Sequence, residues 1–121
     1  MQILLVDDDK FILKTMSDVL SQENYDVIEC NNGKEALDVF NEKDIDLLIT
    51  DIYMQDDGIQ LISEIRKTQR KIPMIAMSGG SIVDNNHVLL DVAGLMGATK
   101  MEKPISKDDL LNTVKELLNA N

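Results

Sequence analysis

Hydrophobic positions fall along this chain in two alternating rhythms. Short, nearly unbroken apolar runs occupy residues 3–6, 27–30, 47–50 and 74–77, each of strand length. Continuous apolarity, as opposed to strict alternation, predicts strands buried on both faces, the condition of a parallel sheet. The intervening segments carry apolar residues at helical spacing. Ile12, Met16, Val19 and Leu20 define one stripe, and Ala36, Leu37, Val39 and Phe40 a second. Ile59, Leu61, Ile62 and Ile65 define a third, and Val88, Leu89, Val92 and Leu95 a fourth. Leu110, Leu111, Val114, Leu117 and Leu118 define the last and clearest. A fifth strand is predicted near residues 98–102 from a weaker pattern. Strands alternating with helices predict a doubly wound α/β sheet with helices on both faces. At 121 residues the chain has the size of one ordinary domain, large enough to bury a core without staples.

In such sheets ligands gather at the carboxyl ends of the strands. That rule makes sense of an otherwise awkward stretch, in which the first apolar run leads directly into Asp7, Asp8 and Asp9. Asp51 closes the third run, Ser78 closes the fourth, and Lys103 follows the fifth strand. A parallel sheet would bring all of these to one edge. Carboxylates from two strands, a hydroxyl and a lysine then share a small pocket. Hard oxygen donors in that number suit Mg²⁺, and a bound cation would make the concentrated negative charge tolerable. Asp9 reads differently, as the cap of the first helix. Asp56, Asp57 and Gly58 read as a turn and helix entry. Cys30 reads as a small buried hydrophobe, the methionines as core filling, and His87, the single histidine, as having no catalytic part.

Charge narrows the partners. The net charge of −10 argues against direct nucleic-acid binding, which needs a basic face. No apolar run approaches the roughly 20 residues of a membrane span. The first residues lack the basic start and small-residue cleavage site of a signal peptide. One cysteine permits no internal disulfide, consistent with a reducing compartment. A cytoplasmic protein is expected, with neither nucleic acid nor membrane as a partner.

The motifs LLVDDD, LLITDIYMQDDG, PMIAMSGG and GATKMEKPI, in this order, resemble those of the receiver domain of two-component response regulators. The likeness runs through essentially the whole chain. It implies the flavodoxin-like strand order 2-1-3-4-5, which is inherited from the family and not read from this sequence. It also implies that Asp51 accepts a phosphoryl group from a phosphohistidine of a sensor histidine kinase or histidine phosphotransfer protein. By the same resemblance Asp8 binds Mg²⁺ directly, Asp7 directly or through water, and the Tyr53 backbone carbonyl completes the protein ligands. Ser78 and Lys103 match the hydroxyl and lysine that contact the phosphoryl oxygens. Such a protein is no enzyme beyond its own phosphorylation and dephosphorylation. The chemistry agrees: a carboxylate attacking an anionic phosphoryl group needs positive charge to screen the repulsion, and the acyl phosphate formed is reactive and so reversible.

Three stretches depart from the family pattern. Gln55 stands where proline usually follows methionine, and the path from there to Gly58 is one residue short. GATKMEKP is one residue short between Gly97 and Lys103. The aromatic often found on the fifth strand is replaced by Lys100 or Met101. No output domain is expected after the last helix, so residues 1–121 read as one receiver domain acting on an unknown downstream protein or passing the phosphoryl group on. The alternative is a receiver-like interaction module that works without phosphorylation. A Mg²⁺-dependent phosphohydrolase would want a second aspartate two residues after the nucleophile, where this chain has Tyr53.

Overall fold

The structure, a computed structural model, describes residues 1–52, 58–79 and 85–119, with residues 85–89 described at the backbone only. Five strands alternate with five helices: β1 (Gln2–Val6), α1 (Lys10–Gln22), β2 (Asp26–Cys30), α2 (Gly33–Glu42), β3 (Leu47–Asp51), α3 (Gly58–Arg66), β4 (Met74–Ser78), α4 (Asn85–Leu95), β5 (Thr99–Glu102) and α5 (Lys107–Asn119). The strands form one sheet in the order β2-β1-β3-β4-β5, every pairing parallel. This is the doubly wound order expected for the fold.

Burial explains the unbroken apolar runs. Alternate side chains of each strand enter opposite faces, and both faces are covered. Leu4, Val6, Leu48 and Ala76 pack with Phe40, Leu61, Ile62, Ile65, Leu90 and Ala93 of α2, α3 and α4. Ile3, Leu5, Leu47, Ile49, Ile75 and Met77 pack with Leu13, Met16, Leu20, Leu110 and Val114 of α1 and α5. Each such Leu or Ile taken from water contributes about 1.5–3 kcal/mol before entropy is charged against it. That is why β3, buried at every position, tolerates no interruption.

Local chemistry sets the element ends. Asp9 caps α1, its carboxylate accepting from the Phe11 and Ile12 amides, as its sequence position implied. Asn32 caps α2 by accepting from the Glu35 amide at 2.8 Å. Asn24 takes the left-handed conformation (φ 67°) after α1, a region asparagine enters more easily than most residues. Arg70, in the α3–β4 connection, lies 4.1 Å over the Phe40 ring and donates to the Phe40 carbonyl and, at 2.8 Å, to that of Lys43. It thereby satisfies the carbonyl end of α2 from a distance in sequence.

The strands run slightly past their apolar cores. β3 includes Asp51, which pairs with Met77, and β4 includes Ser78, which pairs with Glu102. Backbone pairing continues through a polar residue because the ladder uses no side chain. The fourth helix corrects the sequence reading. Val92 and Leu95, expected in its buried stripe, face solvent at 37% and 89% exposure, whereas Leu90 and Ala93 are buried. The segment carries apolar residues all round, so periodicity alone does not choose a face. The side chains of Val88, Leu89 and His87 lie outside the description.

Candidate functional site

The carboxyl ends of β1, β3, β4 and β5 bring the predicted residues together. Asp7 follows β1 directly, and its amide donates to the Cys30 carbonyl at 3.2 Å, carrying the β1–β2 ladder one step further. That bond turns the Asp7 side chain inward, where it is 0% exposed. Its Oδ1 accepts from the Asp9 amide at 2.9 Å, and its Oδ2 accepts from Lys103 Nζ at 2.6 Å. The cap of α1 and the site are therefore built from one short turn.

Asp51 ends β3 and is 5% exposed. Lys103 Nζ donates to its Oδ2 at 3.1 Å, so one ammonium bridges carboxylates from two strands. Asp8 is exposed, yet one carboxylate oxygen from each of Asp7, Asp8 and Asp51 falls within a cluster no wider than 4.8 Å. Ser78 is buried at the end of β4, its hydroxyl 3.4 Å from the Gly79 carbonyl, at the long limit of hydrogen bonding. The Lys103 amide donates to the Ser78 carbonyl at 2.7 Å, which fixes the lysine backbone to the serine strand. The Lys103–Pro104 peptide is cis. Tyr53, the remaining predicted ligand, and Gln55 lie outside the described residues.

Electrostatics follow from this placement. Burial pulls the Lys103 ammonium toward its neutral form. The hydrogen bond it donates to Asp7 and the charges of Asp51 and Asp7 outweigh that, and its pKa is raised above the ordinary lysine value. Lys103 is thus held as a cation against two carboxylates. The donor set around it is all oxygen, three carboxylates, of which one is open to solvent. Such a set fits Mg²⁺, which keeps several waters and takes few carboxylates. No nitrogen or sulfur ligand joins this cluster among the described residues.

Two neighbours escaped sequence reading. Gly58 opens α3 against the Asp51 backbone: a Cβ there would stand 2.2 Å from the Asp51 carbonyl oxygen and 2.7 Å from Ile52 Cα. The DDG triplet showed a helix entry but not this close approach. Thr50 places its hydroxyl on the same Asp51 carbonyl at 3.0 Å. An apolar cleft of about 390 Å³ adjoins the site, lined by Phe11, Ile12, Thr15, Met16, Pro104 and Ile105 beside Lys103. No helix among the described residues is long and apolar enough to cross a membrane.

Known proteins share this fold. The receiver domain of NtrX from Brucella abortus superposes with a TM-score of 0.88 at 28% identity, covering 98% of this chain and 99% of that one. A CheY-like receiver domain protein from Methanospirillum hungatei JF-1 gives 0.85 at 28% identity, covering 98% and 93%. In sequence, the transcriptional regulatory protein GlrR of Escherichia coli (strain K12) is 37% identical over 118 residues, 96% of this chain and 26% of that protein. The transcriptional regulatory protein CpxR of the same strain is 31% identical over 120 residues, 97% of this chain and 49% of that protein. The chain thus spans from about a quarter to half the length of these curated relatives. The family described as "Response regulator receiver domain" matches residues 3–115, and the chain, which shares its fold with solved receiver domains, belongs to that family.

Proposed function

We propose that this chain is a phosphoryl-accepting switch or relay carrier of two-component signalling, with Asp51 as the acceptor. The observation that carries the reading is the Lys103 ammonium bridging buried Asp7 and Asp51 inside a three-carboxylate cluster at the strand ends. A carboxylate oxygen of Asp51 attacks the phosphorus of a phosphohistidine, on a sensor kinase or a histidine phosphotransfer protein. The P–N bond breaks as the P–O bond forms, and the departing imidazole takes up a proton. Lys103 stands beside the attacking oxygen to neutralise charge gathering on the equatorial oxygens. Ser78, one position beyond the Asp51 partner on β4, offers a hydroxyl to the transferred group. Asp7, Asp8, the Asp51 carboxylate and the Tyr53 carbonyl are the residues proposed to hold Mg²⁺. When bound, the ion supplies positive charge between two anionic reactants.

In this reading residues 1–121 act as one receiver unit, work on no separate substrate, and pass the signal to a downstream protein or the phosphoryl group to a second carrier. Incubation with acetyl phosphate and Mg²⁺ followed by intact-mass measurement tests it. One phosphoryl group should add to the wild type and none to Asp51→Asn, because an amide cannot form the acyl phosphate. A wild-type chain that gains no mass would favour the interaction module instead.

A further inference from the structure

Buried polar side chains gather around the site. Among the described residues they are Asp7, Ser17, Thr50, Asp51 and Ser78. Asp7, Asp51 and Ser78 form the strand-end group, Ser17 lies on α1, and Thr50 stands inside β3 directly before Asp51. Every neighbour of Thr50 in the sheet is apolar. It pairs with Val6 on β1 and Ala76 on β4, and Leu48 precedes it on the same face. All four residues are fully covered. Valine would fill this place, suit the strand and bring no polar atom out of water. Packing therefore gives no reason for a hydroxyl here.

The reason lies one residue on. The Thr50 hydroxyl donates to the Asp51 carbonyl at 3.0 Å. Across the same peptide group, the Ile52 amide donates to the Met77 carbonyl at 2.9 Å. The Asp51–Ile52 peptide is thus held at its oxygen from within β3 and at its nitrogen from β4. Because the peptide is planar, holding both ends fixes the backbone rotation that follows the Asp51 Cα. Asp51 is the last residue of β3, where a strand has most freedom to turn. Its carboxylate must nevertheless keep Oδ2 3.1 Å from Lys103 Nζ, and a reacting atom misplaced by a fraction of an ångström loses rate. We infer that Thr50 is a positioning residue for the acceptor: its hydroxyl locks the Asp51–Ile52 peptide and so aims the Asp51 carboxylate. Thr50 itself lies outside the carboxylate cluster and acts only through Asp51. The inference deepens the proposed function and rests on it for the effect on phosphoryl uptake.

The test compares wild type, Thr50→Val and Thr50→Ser. Valine keeps the shape and removes the hydroxyl, whereas serine keeps the hydroxyl and removes a buried methyl group. Labelling of Asp51 by acetyl phosphate with Mg²⁺ should slow about three- to tenfold in Thr50→Val, the scale of one neutral hydrogen bond. Thr50→Ser should label within about twofold of wild type. Chemical denaturation should rank the variants the other way, Thr50→Ser being the less stable because of its small cavity. A merely structural threonine would make labelling and stability fall together. Wild-type labelling in Thr50→Val, or equal slowing in both variants, overturns the inference. Should Thr50→Val fail to fold, Thr50→Ala against Thr50→Ser, a pair differing only in the hydroxyl, decides the same question. A second readout needs no phosphoryl transfer. In protein carrying ¹³C-labelled aspartate, the Asp51 carboxylate signal should shift in Thr50→Val and return in Thr50→Ser, while that of Asp26 on β2 stays in place. An Asp51 signal unmoved in Thr50→Val overturns the positioning role. A wild type that takes up no phosphoryl group overturns the proposed function, and the carboxylate signal still decides whether Thr50 aims Asp51.

Discussion

Replacing Lys103 with methionine should cost stability out of proportion to the side chain lost. The wild-type centre sums two buried carboxylates and one ammonium, −2 + 1 = −1, with Asp8 outside in solvent. Lys103→Met leaves −2 with no cation between Asp7 and Asp51, while Asp51→Asn leaves −1 + 1 = 0. Breaking a buried pair from one side costs about 3–5 kcal/mol. Lys103 is 15% exposed, so water reaches the gap and a cost of about 2–4 kcal/mol is the better figure. For a domain of this size, at about 4 °C per kcal/mol, the melt in EDTA should fall by about 8–16 °C. Asp51→Asn should melt above wild type under the same conditions, as the repulsion is removed and the Asp7–Lys103 bond is kept. Millimolar Mg²⁺ should raise the melting temperature of Lys103→Met more than that of wild type, because the ion replaces the missing charge in the folded state only. The assay is a set of thermal melts in EDTA and in Mg²⁺. A Lys103→Met melt within about 2 °C of wild type in EDTA, or equal Mg²⁺ shifts in all three proteins, would refute the shared-charge account.

Other outcomes follow from single contacts. Gly58→Ala places a methyl group against the Asp51 and Ile52 backbone, which cannot rotate away, so chemical denaturation should show a loss of about 1–3 kcal/mol together with slower labelling by acetyl phosphate. Arg70→Lys gives up the fork that spans the Phe40 ring and two carbonyls, and should lose about 1 kcal/mol in the same assay with labelling unchanged. Burial first, then the charge and hydrogen bond of Glu35, push the Cys30 thiol up to about 12 from 9.0. A folded pKa above the unfolded one makes this contribution complete below about pH 9 and progressively lost toward pH 12, at about 1.4 kcal/mol per pH unit. Denaturation at pH 8, 9.5 and 11 should therefore show a shallower alkaline loss in Cys30→Ala; identical slopes would remove Cys30 from the titration.

The sequence was most informative where one dimension suffices. β3 reads as a buried strand because all five of its positions are covered, and Asp51 reads as a strand-end group because it closes that run. Asp7, Asp51, Ser78 and Lys103 converge as a parallel sheet requires. What escaped depends on approach across space. The buried face of α4 was misjudged because apolar residues surround the helix and only its neighbours choose among them. Gly58 gave no sign of touching Asp51, since the contact depends on how α3 leaves the sheet. The two arginines serve carbonyls 27 to 30 residues away, and no periodicity records such bonds. That one lysine would meet two carboxylates at once is a matter of tenths of an ångström and lies beyond any pattern of residue types.

The placement of charge within the sheet has a consequence for how these molecules behave when crowded together. The two outermost strands carry exposed charges, Asp26 and Glu29 on β2, Lys100 and Glu102 on β5, whereas β1, β3 and β4 between them expose none. A sheet can grow only at its margins, and a foreign strand joining either margin would have to strip water from these groups. The finished molecule is therefore guarded against stacking edge to edge with its neighbours. The sticky sequences LLITD and MIAMS are shielded by position, so the hazard is confined to the interval in which the central strands have formed and their flanks have not.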